Sequence, residues 1–170
     1  MPLIVDGYNV LFAIGRYGRG KAIGEVLDEA RQRLLAELVR HCQHTGEAAT
    51  VVFDSRKATG GASRQDTLPG VRILYSHPPR TADDDILRLV EQSTAPRQLR
   101  VVTSDRELRG ACARHGAEVV GARTFYRQLA ALARDADADR REHLLKRQPP
   151  DDDELRYWLD VFGDDKPQDP

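Results

Sequence analysis

Five short, apolar-rich runs recur along the chain, at residues 3–5, 49–53, 71–75, 99–103 and 117–120. They are dense in Val, Ile and Leu rather than alternating with polar residues, the pattern of strands covered on both faces. Between them the apolar positions change period. Ile23, Val26, Leu27, Ala30, Leu34, Leu38 and Cys42 fall at helical spacing, which predicts a helix over 21–44 stopped by Gly46. Thr81 stands as the N-cap of a second helix, with Asp83, Asp84 and Asp85 in its first turn and Ile86, Leu87, Leu89 and Val90 behind. Ser104 and Glu107 have capping-box spacing ahead of Leu108, Ala111 and Cys112, and Phe125, Leu129 and Leu132 mark a last amphipathic helix. Residues 7–20, rich in Gly and Arg, read as a loop, as do the polar residues 55–69 with their adjacent Gly60 and Gly61. Strands alternating with helices predict an α/β fold in which a parallel sheet of about five strands is covered on both faces.

Length adds one constraint: 170 residues suit one domain with a short appendage, large enough to fold without a disulfide or a metal. The two cysteines, Cys42 and Cys112, are far apart and fall on helix faces, as reduced buried thiols do. His41-Cys42-x-His44 has no second ligand cluster to complete a zinc site. Asp6 interrupts the first apolar run and no basic segment precedes it, so no signal peptide is read; no run is long enough to cross a membrane. A cytoplasmic protein without a membrane partner is expected. The formal charge of −1 argues against a polyanionic partner until it is divided. Residues 151–170 hold eight acids and two bases, a charge of −6, whereas 1–150 hold 24 bases and 19 acids, a charge of +5.

The candidate chemistry lies where the strands end. Sites in open parallel sheets form beyond the carboxyl ends of the strands. Asp6 follows the first run, Asp54 the second and Asp105 the fourth, and the third leads through a turn to Asp83, Asp84 and Asp85. Each acid alone has a structural explanation, as a turn residue or as a partner of a helix dipole. Their coincidence at one sheet edge is what points to a hard divalent cation, because clustered carboxylates repel unless a cation joins them.

The segment Leu3-Ile4-Val5-Asp6-Gly7-Tyr8-Asn9-Val10 resembles the opening motif of the NYN-domain proteins, specifically the YacP-like branch of the PIN-type nucleases. Val51-Val52-Phe53-Asp54, Thr81-Ala82-Asp83-Asp84-Asp85-Ile86 and Val102-Thr103-Ser104-Asp105 resemble its later motifs in order, and Gly121-Ala122-Arg123-Thr124-Phe125 its closing segment. The resemblance covers residues 2–135. It implies a three-layer Rossmann-like PIN/NYN fold, here over 1–148, followed by an acidic tail over 149–170 with a short helix. It also implies metal-dependent endoribonuclease activity, with Mg²⁺ or Mn²⁺ as cofactor and single-stranded RNA as substrate. In the YacP-like branch it further implies cleavage of messenger RNA in association with the ribosome. By position, Asp6, Asp83 and Asp105 match the acidic catalytic and metal-holding residues, with Asp54 as a fourth ligand. Asn9 matches the Asn of the motif, whose amide suits a water or a phosphate near Asp6. The triple aspartate leaves Asp84 as an alternative ligand, although Ala82 before and Ile86 after favour Asp83.

Arg16, Arg56, Lys57, Arg64, Arg80 and Arg106 lie on the site side of the predicted fold and are the candidate contacts to an RNA backbone. Arg106 is placed either to meet a phosphate or to orient Asp105; Tyr8 either to stack on a base or to pack. Two other classes remain. One is a non-catalytic RNA- or ribosome-binding module of the same fold. The other is a small-molecule phosphotransferase, disfavoured because Asp6 is followed by Gly7 and Tyr8 rather than by a second Asp two positions on. No Gly-rich phosphate loop supports a nucleotide cofactor.

Overall fold

Every predicted strand is present, and the reason is burial. In the computed structural model, which describes residues 1–15, 23–55, 65–146 and 156, β1 (Leu3–Asp6) is buried along its whole length inside a six-stranded sheet. It pairs in parallel with β2 (Ala49–Asp54), Val5 opposite Val51, and with β5 (Arg100–Val102), Val5 opposite Val102. Outside β2 lies β4 (Val71–Ser76), and outside β5 lies β6 (Glu118–Val120), both parallel to their neighbours.

The sheet has one more strand than expected. β3 (Gln65–Leu68) runs antiparallel to β4 at the edge, within a stretch read as loop. Its sequence Gln-Asp-Thr-Leu is exposed at three of four positions, so it carries no apolar signal; pairing with β4 makes it a strand. The segment after β1 also differs from expectation. Instead of a loop it forms α1 (Gly7–Ile14), capped by Asp6, whose Oδ1 accepts the Asn9 N–H at 3.1 Å. The Asp-Gly pair has the look of a turn, and α1 is so uniformly apolar that no polar face marks its period.

α2 (Ile23–Thr45) follows the predicted helix closely and ends at Gly46, whose φ of +71° is one that an L side chain resists. α1, α2 and α5 (Ala122–Lys146) cover one face, packing Leu11, Leu34, Leu38, Phe125 and Leu129 against Leu3, Val5, Val51, Phe53 and Ile73. α3 (Ala82–Glu91) and α4 (Arg106–Arg114) cover the other, where Ile86, Val90, Leu108 and Cys112 meet Ile4, Val52 and Val101. The three-layer arrangement matches the expected class. Both cysteines are buried and free. His41 is also buried, with Nε2 3.1 Å from Glu47 Oε2, so it serves an ion pair.

By contacts the chain divides into Met1–Ala133 and Arg134–Pro170, and the sheet with the candidate site belongs to the first unit. Of the acidic tail only Arg156, in helical conformation, lies within the described residues. No helix among the described residues is long and apolar enough to cross a membrane.

Gly7 is the tightest point of the fold. A Cβ there would stand inside the van der Waals surface of the Phe53 ring, and Phe53 is fully buried in β2 with nowhere to retreat. Gly7→Ala is expected to lose about 1–3 kcal/mol of stability by overpacking, read as a lower urea midpoint.

Candidate active site

The chain order of the sheet, β3-β4-β2-β1-β5-β6, reverses direction at β1. After β1 the chain moves outward through β2 to β4, then returns to the other side of β1 as β5. The crevice at such a reversal, beyond the carboxyl ends of β1 and β5, is where open α/β sheets bind ligands. Here it opens into a cavity of about 300 Å³ lined by Asp6, Tyr8, Asn9, Phe12, Asp54, Thr81, Ala82, Asp83 and Asp105. Four carboxylates from four chain segments therefore share one cavity, and no Lys or Arg among the described residues lines it.

A hydrogen-bonded framework fixes two of the four. Thr103 is fully buried just past β5, and its Oγ1 donates to Asp6 Oδ2 at 3.1 Å while accepting the Asp105 N–H at 3.1 Å. Asn9 Oδ1 accepts the Ser104 N–H at 2.8 Å, which ties α1 to the β5–α4 turn and leaves the Asn9 Nδ2 protons for a ligand. Asp105, not Ser104, is the N-cap of α4: its Oδ1 accepts both Glu107 N–H and Leu108 N–H at 2.9 Å. Ser104 instead turns its Oγ to the Ala122 N–H at the start of α5, 3.0 Å away. The spacing to Glu107 misplaces the cap by one residue because Ser and Asp are equally good caps and stand side by side. With both cap bonds on Oδ1, Asp105 Oδ2 keeps its lone pairs for a cation.

The aspartate triple resolves into three different tasks, since consecutive helix residues point about 100° apart. Asp83 lines the cavity. Asp84 does not, which removes it from the candidate ligands: its Oδ2 accepts from Thr81 N–H at 2.8 Å and Thr81 Oγ1 at 2.9 Å, completing a capping box. Those bonds hold the Asp84 carboxyl below its ordinary pKa. Asp85 pairs with Arg80 at 3.2 Å. Behind Asp83, burial and then the charge of Asp83 push the Cys112 thiol up to about 11, which leaves it protonated and inert at neutral pH.

The proposed RNA contacts scatter. Arg80 lines a separate cleft of about 270 Å³ with Gln65, Tyr75, Asp85 and Arg88. Arg106 is exposed at the first position of α4 and does not line the cavity. Arg16, Arg56, Lys57 and Arg64 lie outside the described residues. Tyr8 is 3% exposed and packs edge-on against Phe53, so burial removes it as a base-stacking ring. Two residues went unassigned in the sequence reading. Thr103 sits inside the Thr-Ser-Asp motif, and Phe12 follows Tyr8 at i+4, a spacing that places both rings on one helix face.

An oxygen-only set of this kind fits Mg²⁺ or Mn²⁺, which take one or two carboxylates and keep several waters. Among the described residues no three His, Cys, Asp or Glu side chains converge closely enough to hold one ion directly.

A family model described as YacP-like NYN domain matches residues 3–158, which extends past the recognisable motifs and into the acidic segment. The protein YacP of Bacillus subtilis is 30% identical over 133 residues, 78% of this chain and 76% of that protein. The crystal structure of Rae1 (YacP) from Bacillus subtilis aligns with a TM-score of 0.73 at 28% identity, over 86% of this chain and 83% of that one. A point mutant of that protein aligns at 0.65 and 26%, over 88% and 86%.

Thr103→Val keeps the shape and removes the hydroxyl, leaving buried Asp6 Oδ2 and the Asp105 N–H without it. A loss of about 1–3 kcal/mol is expected in urea unfolding. Because its folded pKa is depressed, Asp84 stabilises above its unfolded pKa of about 3.9 and loses that contribution as pH falls through the folded value. The Tm difference between wild type and Asp84→Ala is therefore expected to be positive at pH 6 and to shrink toward pH 2.

Proposed function

The chain belongs to the YacP-like NYN domain family, within the PIN-like nuclease superfamily, and on that premise we propose that it is a divalent-metal-dependent endoribonuclease acting on single-stranded RNA. Its setting, on this reading, is messenger RNA at the ribosome in the cytoplasm. The observation that carries the reading is the convergence of Asp6, Asp54, Asp83 and Asp105 on one cavity at the reversal point of the sheet.

Each residue has a distinct task. Asp105 offers Oδ2, because Oδ1 is committed to the α4 cap. Asp6 is held by Asn9 N–H and Thr103 Oγ1, so it presents its remaining lone pairs in a fixed direction. Asp54 and Asp83 enter from the opposite wall and complete an oxygen donor set for Mg²⁺ or Mn²⁺. A divalent ion there supplies Lewis acidity toward a water and a phosphodiester. The Asn9 Nδ2 protons are placed to donate to a non-bridging phosphate oxygen, the neutral contact such an acidic cavity allows.

A second reading has one observation in its favour: no three carboxylates converge on a single point among the described residues. That arrangement also suits an RNA- or ribosome-binding module without catalysis.

Incubation of a labelled single-stranded RNA, and of translating ribosomes, with full-length protein and Mg²⁺ or Mn²⁺ separates the two. Internal cleavage that EDTA abolishes is expected. Asp6→Asn and Asp105→Asn are expected to lower it by about a hundredfold or more. Wild-type rates in both variants would overturn the assignment, and binding without product under every metal would favour the second reading.

A further inference from the structure

We propose that the exposed ring of Phe12 is a base-stacking subsite at the acidic cavity, holding one unstacked base of a single-stranded RNA. The proposal rests on the nuclease reading of that cavity and names the feature of the substrate it selects.

Phe12 is 48% exposed, and among the described residues only Met1 is a comparably exposed large hydrophobic side chain. Its neighbours in α1 show that this exposure is not needed for packing. Tyr8, Val10 and Leu11 bury the helix against the sheet, and Phe12 is left over on the cavity side. A large apolar ring facing water is unfavourable by its area unless something covers it in use.

The ring is also held in place. It stacks on Tyr8, centroids 6.1 Å apart and planes 30° from parallel. Tyr8 is braced edge-on by Phe53 at 5.2 Å, and Phe53 is fully buried in the central β2 strand. A base laid on Phe12 would therefore add one more layer to an existing stack anchored in the core.

The location decides the ligand. Phe12 shares its cavity with Asp6, Asp54, Asp83 and Asp105, so a base on the ring sits within a nucleotide or so of a phosphate at the carboxylates. Every base offers a π face, which makes stacking tolerant of sequence. A base inside a duplex has both faces covered, so the subsite favours single strands, unpaired loops and ends.

The test uses full-length protein in EDTA, which separates binding from cleavage. A fluorescein-labelled single-stranded oligoribonucleotide carrying 2-aminopurine is titrated and both signals are read. Wild type is expected to bind and to quench the 2-aminopurine by stacking. Phe12→Trp keeps both effects. Phe12→Leu, which retains an apolar side chain at an exposed helical position, and Phe12→Ala are expected to bind about tenfold more weakly and to lose the quenching. A perfect duplex should show no dependence on residue 12. Wild-type affinity and quenching in Phe12→Leu, or no binding by wild type, would overturn the subsite. The nuclease reading fails separately. Phe12-dependent binding without cleavage in Mg²⁺ or Mn²⁺ removes the nuclease alone; cleavage with Phe12-independent binding removes the subsite alone.

Discussion

The hydroxyl of Thr103 is the joint on which the site depends. β1 and β5 are parallel neighbours with Val5 opposite Val102, so Asp6 and Thr103 are the next pair in that register. A threonine there has one proton to give and lone pairs to accept with. The proton goes to Asp6 Oδ2 and the acceptor takes the Asp105 N–H. The carboxylate ending one strand and the one beginning the helix after the other are thereby set by a single buried oxygen. The Asn9–Ser104 bond repeats the connection one step nearer the surface. The Asp-Gly-Tyr-Asn and Thr-Ser-Asp segments, far apart in sequence, behave as one unit because each supplies the hydrogen-bond partners that the other leaves unpaired.

Clustering four carboxylates costs electrostatic energy, and the fold offsets part of it with backbone. Asp6 caps α1, Asp105 caps α4, and Asp83 lies in the first turn of α3. All three helices start at the cavity, so their partial positive N-termini surround it; each is worth about 0.3–1 kcal/mol toward a nearby negative charge. The structural explanation of each aspartate and the functional one are therefore not rivals. A capping carboxylate needs one oxygen for the backbone, as Asp105 shows by taking both bonds on Oδ1, and the other is left for a ligand. Asp84 is the counterexample. It receives both side-chain and backbone bonds from Thr81 on Oδ2, faces away from the cavity, and is accounted for by the cap alone.

How much of this was legible in the sequence follows from what each feature depends on. The five buried strands and the long α2 were readable because burial on two faces, or on one helical stripe, leaves a periodic trace. Asp6, Asp54, Asp83 and Asp105 were readable because strand ends are readable. α1 was missed because a short helix that is apolar on nearly every side has no period to detect, and β3 because its identity lies in its pairing with β4. The choice of Asp105 over Ser104 as cap needed coordinates, since adjacent residues of equal capping power differ only in where the backbone turns. The tail, predicted as a docking helix, lies almost wholly outside the described residues, although the family match reaches residue 158 and so includes its first part.

Tyr8 and Phe12 show how the same sequence pattern divides once burial is known. Both are aromatic, four residues apart on one helix face, and the sequence alone favours the first because it stands in the motif. The sheet decides otherwise. Gly7 has no Cβ, so the Phe53 ring advances into the space beside it. That ring meets the edge of Tyr8 and commits it to the core. One turn later α1 has risen beyond the reach of β2, and the next ring in the stack is left at the surface, on the rim of the acidic cavity. The motif glycine thus does two things at once: it lets Asp6 cap α1 close to the sheet, and it determines which aromatic ring of the helix is free to face a ligand.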